Sequence, residues 1–285
     1  MYVITGITGQ VGGVVARTLL AQQKKVRAVV RDAPKGEVWA LQGCDVAVAQ
    51  MYDSAALTRA FTGAEAVFVL LPPVFDPLPD MAESRASITS LYQALKASPP
   101  QKVVCLSTIG AQSTKPNLLN ALGFMERTLA DLLVPTTFLR ASWFMENFLW
   151  DVGSALEDGI ISSHLQPLDR AIPMVATVDV GRLAADQLQS TWSGSRVIEL
   201  EGPARYSPAQ AAAAFSRLIE RPVHAQAVPR DTWESSFFAQ GMNNPLPRMQ
   251  MLDGFNEGWI EFEGIPQKGQ TTLDTVLEGL IERHG

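Results

Sequence analysis

Thr5-Gly6-Ile7-Thr8-Gly9-Gln10-Val11-Gly12 decides the fold, because it joins the short apolar run 2–4 to a stretch with helical apolar spacing. Glycines in a strand-to-helix turn allow a tight turn, a close approach of backbone to phosphate, and close helix packing. The free N–H groups of the new helix would face the same phosphates. We therefore expect a dinucleotide pyrophosphate here, bound by Gly6, Thr8, Gly9, Gln10, Val11 and Gly12; the alternative is a purely structural turn.

Apolar, β-branched runs alternate with helical patterns through the first half of the chain. The runs lie at 26–30, 45–49, 66–71, 102–106 and 136–139, and helical patterns lie at 54–61, 81–96 and 118–133. Runs without polar alternation are typical of a parallel sheet covered on both faces. We predict a Rossmann-type, doubly wound α/β fold whose ligand lies at the carboxyl ends of the strands.

The alternating pattern ends near residue 150, where Gly, Pro and Ser become frequent. We predict an NAD(P)-binding domain over 1–150 and a smaller C-terminal α+β lobe over 151–285 that holds the substrate. The runs 175–179 and 197–200 read as extended, so segments at about 175–200 are expected to return to the main sheet. The Met- and aromatic-rich stretch 233–259 is expected to form core of the lobe or the surface of a homodimer.

Composition argues against several classes of protein. The 285 residues are 47% hydrophobic and carry a net charge of −6, which disfavours nucleic acid or an anionic membrane as the partner. The two cysteines, Cys44 and Cys105, imply no disulfide framework and a reducing compartment. The three histidines lack metal-ligand spacing, so we expect no metal. No leader or membrane-length apolar run is recognised, and a cytoplasmic location is expected.

The end of the second strand selects between the two nicotinamide dinucleotides. Arg31 directly follows the apolar run 26–30, and its planar guanidinium suits the 2′-phosphate of NADP(H). Asp32 is the counter-evidence, because a carboxylate there would accept the ribose hydroxyl of NAD(H). We favour NADP(H), with Lys35 nearby, and NAD(H) remains the alternative.

The tyrosine and lysine pair usual for carbonyl reduction on this fold is missing from its expected helix. Ser107 and Thr108 follow the fifth strand as that chemistry requires, but the helix at 118–126 contains neither Tyr nor Lys. The chain has one Tyr-x-x-x-Lys, at Tyr92 and Lys96, and it precedes the fifth strand. We interpret it as part of a crossover helix, and we assign no catalytic residue.

The chain resembles the NmrA-like family of atypical short-chain dehydrogenase/reductases. The resemblance rests on the glycine turn, on Val30-Arg31, and above all on Pro135 to Arg140 followed by Phe144-Met145-Glu146-Asn147. The stretches 178–182 and 199–203 agree with it. The family includes type-2 quinone oxidoreductases, triphenylmethane dye reductases and NADP-sensing regulators. Many members carry a Lys where this chain has Leu122, and an Asp that meets adenine where it has Gln50.

These arguments give a set of site residues at the strand ends. Beyond the glycine turn and Arg31, the expected cofactor contacts are Gln50, Leu71, Pro72, Ser107, Ala141 and Ser142. The expected substrate contacts are Pro73, Thr108, Trp143, Phe144 and Asn147. For the aromatic residues, packing between the two lobes is an equal alternative.

Three functions stay open from the sequence. The first is an NADPH-dependent reductase that passes hydride to a quinone-like, planar, conjugated small molecule, for which a strong protein acid is optional. The second is a non-catalytic regulator that senses NADP(H) and signals to a protein partner. The third is an epimerase-like or NAD-dependent enzyme.

Overall fold

Strands and helices alternate strictly through the first half of the chain. The computed structural model describes residues 1–284. The elements are β1 Tyr2–Ile4, α1 Gln10–Ala21, β2 Val26–Val30, α2 Ala33–Leu41, β3 Asp45–Val48, α3 Ser54–Phe61, β4 Ala66–Val69, α4 Ala82–Ala97, β5 Lys102–Thr108, α5 Asn120–Leu129 and β6 Thr136–Ala141.

The second half mixes shorter strands with helices. Its elements are β7 Trp143–Phe144, α6 Val152–Glu157, β8 Ile160–Ser163, β9 Ile172–Val175, α7 Thr177–Gln189, β10 Ser195–Glu201, β11 Arg205–Tyr206, α8 Pro208–Ile219, β12 His224–Ala227, α9 Trp233–Ala239, α10 Leu246–Glu257, β13 Gln267–Lys268 and α11 Leu273–His284. Short 3₁₀ turns cover Pro79–Met81, Met145–Asp151 and Arg230–Thr232.

Eight strands form one parallel sheet in the order β13-β10-β6-β5-β4-β1-β2-β3. The chain order reverses between β1 and β4, so the switch point lies beside the glycine turn. In open α/β sheets, ligands bind at such a point, outside the carboxyl ends of the strands. The predicted doubly wound Rossmann-type fold is confirmed.

Apolar side chains fill both faces of this sheet, as expected for continuous apolar strands. Ile4 and Phe68 belong to the core on one face, and Val3 and Val67 belong to the core on the other. All four side chains are fully buried. The layers fix the carboxyl edge of the sheet as a rigid frame for the site.

The C-terminal lobe has its own core and two small sheets. One sheet has the order β11-β9-β7, and the other pairs β12 with β8. Trp233, Phe215 and Phe237 are fully buried at the centre of its core. The predicted smaller α+β lobe is therefore present, and most of the Met- and aromatic-rich stretch contributes to its core, although Phe238 is half-exposed.

One predicted element is wrong. The run 175–179 was expected to be extended, but β9 ends at Val175 and α7 begins at Thr177. The carboxylate of Glu146 accepts hydrogen bonds from the Thr177 amide (2.8 Å) and hydroxyl (2.6 Å). Glu146 thus provides an acceptor for the first amide of α7, which has no partner inside the helix. Because Glu146 is distant in sequence, no local pattern predicts this cap. β9 also pairs outside the large sheet, whereas β10 pairs with β6 inside it.

Helix α7 packs closely against α1, the helix that carries the glycine turn. A Cβ atom at Gly181 would lie 2.5 Å from the Cβ atom of Val14, so only glycine allows this approach. The second half of the chain thus supports the turn from outside.

Within residues 1–284, no helix has both the length and the apolar character that crossing a membrane requires.

Candidate functional site

The glycine turn is shaped so that two of its glycines cannot carry a side chain. Gly6 has φ +63°, and a Cβ atom there would lie 2.9 Å from Leu70 Cδ2. A Cβ atom at Gly12 would lie only 2.3 Å from the carbonyl oxygen of Gly6. The amide of Gly9 closes the turn by donating to that same oxygen at 3.0 Å. The tight turn and close helix approach expected from the sequence are therefore both present.

Thr5 ties this turn to the neighbouring strand end. Its buried hydroxyl donates to the carbonyl of Phe68 (3.1 Å) and accepts from the amide of Leu70 (2.8 Å). The ends of β1 and β4 are thereby held together at the switch point. Sequence reasoning missed this residue, because its partners lie more than 60 positions away.

The first turn of α1 is left open for an anion. Within residues 1–284, no side chain caps this helix at Gly9, and its first turn has no acidic residue. The amides of Gln10, Val11 and Gly12 have no carbonyl partner inside the helix, as in any first turn. Uncapped N–H groups and the helix dipole favour a phosphate group at this position. The residues present therefore fit a dinucleotide.

Arg31 lies where a ribose would meet the sheet. β2 ends at Val30, so Arg31 is the first residue beyond the strand, and its exposed guanidinium has no hydrogen bond or ion pair within residues 1–284. The carboxylate of Asp32 is paired with Lys35 at 2.9 Å, and this hydrogen bond lowers its pKa. The Gln50 amide lies alongside, donating to the carbonyl of Arg31 at 3.2 Å.

A row of buried polar residues crosses the sheet beneath the expected nicotinamide end. Ser107 on β5, Arg140 on β6 and Glu199 on β10 are register partners across three adjacent strands. The Ser107 hydroxyl donates to Glu126 Oε1 at 2.5 Å, and Arg140 binds both Glu126 oxygens, at 2.9 and 2.7 Å. The hydroxyl expected to face a ligand is thus committed to a carboxylate on α5.

Glu263 completes this group, which we call the Arg140 cluster: Ser107, Glu126, Arg140, Glu199 and Glu263. Arg140 Nη1 lies 3.5 Å from Glu199 Oε1 and 2.5 Å from Glu263 Oε2. Burial opposes the charge on Arg140, but its hydrogen bonds to Glu126 and Glu263 raise its pKa overall. The amides of Glu263 and Gly264 also donate to Glu199, at 3.0 and 2.8 Å. One buried cation therefore ties four segments of chain together.

Ser142, just beyond β6, has an unsatisfied hydroxyl. The side chain is buried, and its oxygen has no hydrogen-bond partner within residues 1–284. Buried polar atoms are nearly always paired, so an orphaned one at a strand end is a natural partner for a ligand atom. Thr108, its neighbour at the end of β5, is half-buried.

Some of the aromatic residues after β6 pack against a core, and others are exposed to solvent. Trp143 and Phe144 form β7 and pair with β9, and Trp143 meets Phe255 edge to face at 5.2 Å. Both are half-buried, so each packs on a core and keeps an accessible part. Asn147 is exposed on the following 3₁₀ turn, and Trp150 is 86% exposed.

The segment after β4 reaches across to the second lobe. Leu71 is half-buried, and Pro72 and Pro73 are exposed beyond it. The carboxylate of Asp76 then accepts from the amides of Asn243 (2.9 Å) and Asn244 (2.7 Å), and these bonds lower its pKa. We call this contact the Asp76 latch. It joins the sheet edge to the loop between α9 and α10.

The structure brings the predicted cofactor residues to one edge of the sheet. They lie at or just beyond the carboxyl ends of β1 to β6, and their contacts with a ligand remain predictions. Sequence reasoning missed the roles of Thr5, Glu126, Glu199, Glu263 and Asp76. Only Glu126 carried a signal, since it lies on the helix that was searched for a catalytic pair.

No metal centre is built from the described residues. Within 1–284, no three His, Cys, Asp or Glu side chains are arranged to hold an ion. Cys44 and Cys105 are free and buried, and burial raises the pKa of both thiols.

Curated proteins similar to this chain are reductases. Quinone oxidoreductase 2 from Escherichia coli K12 is 26% identical over 251 residues, which are 87% of this chain and 85% of that protein. An NAD(P)H azoreductase from Xenophilus azovorans is 27% identical over 259 residues, 90% of this chain and 85% of that protein.

Solved structures and a family model agree on the architecture. A triphenylmethane reductase from a Citrobacter species superimposes with a TM-score of 0.84 at 18% identity, covering 99% of each chain. An NADPH-dependent quinone oxidoreductase from Escherichia coli, in complex with NADPH, gives 0.82 at 24% identity over 100% of each chain. The model of the NmrA-like family matches residues 2–265. The chain therefore belongs to the NmrA-like family.

Proposed function

We propose that this protein is an NADPH-dependent reductase of planar, conjugated small molecules such as quinones. The observation that supports this proposal most directly is the open glycine turn beside an unpaired arginine at the end of β2. The similar curated proteins are named as a quinone oxidoreductase and an azoreductase, which supports the general class of NAD(P)H-dependent reductases.

In this proposal the turn and the strand ends hold the dinucleotide. The amides of the first turn of α1 receive the pyrophosphate, and the missing Cβ atoms of Gly6 and Gly12 allow the tight turn that places them. Arg31 receives the 2′-phosphate, since a guanidinium binds phosphate oxygens in a bidentate manner. The unsatisfied Ser142 hydroxyl lies at the opposite end of the site, beside β6. When bound, the reduced nicotinamide supplies a hydride.

The protein's own residues then act mainly by orientation. The accessible parts of Trp143 and Phe144 offer a flat apolar wall, which favours a planar acceptor over a flexible one. A quinone that accepts hydride at oxygen or carbon needs one proton to become a hydroquinone. The half-buried Thr108 hydroxyl and solvent are the proton routes at this edge, because Ser107 is bonded to Glu126.

A second function is favoured by one specific observation. α5 carries neither Tyr nor Lys, and its buried carboxylate, Glu126, is paired with Arg140. Such a site binds a cofactor without a strong acid, as an NADP(H)-sensing regulator would. The sensor must then distinguish NADPH from NADP⁺ in affinity, by at least about tenfold to shift a population usefully.

One experiment separates the two functions. Purified protein is mixed with NADPH and a panel of quinones, azo dyes and triphenylmethane dyes, and NADPH absorbance is followed; calorimetry measures the affinities for NADPH and NADP⁺. Turnover with similar affinities supports the reductase. No turnover with a large affinity difference supports the sensor, and no binding of either nucleotide contradicts both.

A further inference from the structure

A cavity of about 190 Å³ lies between the start of α4 and one face of α5, from its first turn to Arg127 in its last. We call it the Arg85–Arg127 pocket. It is lined by Asp80, Met81, Arg85, Asn120, Ala121, Phe124 and Arg127. α4 and α5 follow β4 and β5, and both helices begin at the carboxyl edge of the sheet because they run back to its amino edge. The pocket therefore opens at the same edge as the candidate site.

Positive charge dominates the walls of this pocket. It presents two guanidinium groups, from Arg85 and Arg127, and one carboxylate, from Asp80. Within residues 1–284, Arg127 has no ion pair, and the Asp80 carboxylate pairs with neither arginine. A local excess of positive charge, in a chain with a net charge of −6, points to an anionic ligand.

Arg85 is held in place rather than left mobile. Its Nε donates to the carbonyl oxygen of Asp80 at 2.7 Å, and its guanidinium lies 4.4 Å from the centroid of the Phe124 ring. A guanidinium stacked on an aromatic face loses less entropy when it binds an anion, because its orientation is already fixed. The pocket is therefore preorganised on one wall.

The backbone at the mouth of the pocket is strained. Asp80 and Met81 have φ values of +57° and +53°. Residues other than glycine rarely adopt this left-handed backbone conformation. The bond from Arg85 to Asp80 and the bond from the Met81 amide to the Leu78 carbonyl (3.0 Å) stabilise this shape. Such strain, about 1 kcal/mol or more per residue, clusters at ligand clamps.

We propose that the Arg85–Arg127 pocket binds the anionic substituent of an aromatic acceptor, a sulfonate or carboxylate on a planar ring. Arg127 and Arg85 bind the anion, and the apolar surfaces of Met81, Ala121 and Phe124 contact the ring. The volume suits one ring, since a cavity of about 150 Å³ accommodates benzene. This assignment rests on the proposed reductase function and adds to it a preference among acceptors.

The test compares a neutral acceptor with its charged counterpart: 1,4-naphthoquinone and its 6-sulfonate, whose anion lies on the ring that does not accept hydride, each with saturating NADPH. Arg127→Gln should lower kcat/KM for the sulfonate about tenfold and change that of the neutral quinone less than about twofold. Asp80→Asn should raise kcat/KM for the sulfonate about threefold, because it removes the opposing charge and Asn tolerates this backbone conformation.

Lys24→Gln is the matched control. It removes the same charge from an exposed position between α1 and β2, at the amino edge of the sheet. If it lowers the sulfonate value as much as Arg127→Gln does, or if Arg127→Gln affects both quinones equally, the assignment is overturned.

Calorimetry separates this assignment from the reductase proposal. Naphthalene-2-sulfonate is titrated into the 285-residue chain in the presence of NADPH. Weaker binding by Arg127→Gln, with no change in Lys24→Gln, supports the pocket even if no quinone is reduced. Turnover of quinones without any difference between the variants contradicts the pocket and leaves the reductase standing.

Discussion

The glycine turn and the Arg140 cluster lie at the same edge of one sheet, yet they are built in opposite ways. The turn closes through backbone: the contacts of Gly9 and Gly12 with the Gly6 carbonyl span at most six positions, and Thr5 then ties the turn to β4. The cluster is centred on buried charges: Arg140 meets the buried Glu199, 59 positions away, and the exposed Glu263, 123 positions away. The turn therefore depends on local conformation, and the cluster depends on the completed fold.

This difference separates two kinds of effect that mutations should have. A change in the turn should abolish ligand binding and leave the fold intact, because the turn is open to solvent on its ligand side. A change in the cluster should act mainly on stability, because a charge without its partner would remain buried. The predictions below test this separation, from the largest expected effect to the smallest.

Arg140→Met should lower the free energy of unfolding by about 3–5 kcal/mol, because it leaves three carboxylates together without their cation. Urea denaturation of both proteins measures the change. Arg217→Met is the control, since it breaks an exposed pair with Asp274 and should cost about 1 kcal/mol or less. Equal losses in the two variants would remove the distinction between the cluster and an ordinary surface ion pair.

Gly12→Ala should weaken NADPH binding by about a hundredfold or more, because its Cβ atom would lie 2.3 Å from the Gly6 carbonyl and distort the turn. Calorimetry gives the affinity, and circular dichroism checks the fold. Gly153→Ala is the control: it lies on α6, and its Cβ atom would meet only ordinary contacts, at 3.7 Å or more. Unchanged binding in Gly12→Ala would show that the turn does not hold the pyrophosphate.

Asp151 is a half-buried carboxyl for which the described residues offer no compensating cation, in contrast to Glu126. Burial raises its pKa to about 7. The folded state therefore holds a proton that the unfolded state releases, and the stability decreases as the pH rises from about 4 to about 7. Asp151→Asn should stabilise the protein by about 2 kcal/mol at pH 8 and make no difference near pH 4. A gain of equal size at both pH values would contradict this titration.

Arg31→Ala should weaken NADPH binding about tenfold and NADH binding less than twofold, because only NADPH carries the 2′-phosphate. Titration of each nucleotide, monitored by nicotinamide fluorescence, measures both affinities. The loss is smaller because Arg31 supplies one contact to the 2′-phosphate, whereas the turn holds the pyrophosphate common to both nucleotides. Parallel losses for the two nucleotides would place Arg31 outside the ribose site.

The same contrast explains what the sequence predicts. The large sheet follows from local apolar runs, and β2 and α3 lie where their runs predict them, at 26–30 and 54–61. The glycine turn is recognised for the same reason, since the glycine spacing that it needs lies within one short stretch of sequence. Local chemistry therefore predicts the parallel sheet and the tight glycine turn.

Features that depend on distant partners were not predicted. Thr177 begins a helix because Glu146, 31 positions earlier, caps it. Ser107 was expected to face a ligand, but its hydroxyl donates to Glu126. The Asp76 latch joins residues 167 positions apart. In each case the decisive hydrogen bond forms only after the chain has folded, so no spacing in the sequence indicates it.

The close packing of Gly181 against Val14 has a consequence for biosynthesis. The glycine turn emerges from the ribosome more than 150 residues before the helix that supports its outer side and the strand that covers β6. A nascent chain of 150 residues would expose the edge of β6 and an apolar face of α1, which makes it prone to aggregation. Translation must therefore pass β10 before the nucleotide site is complete.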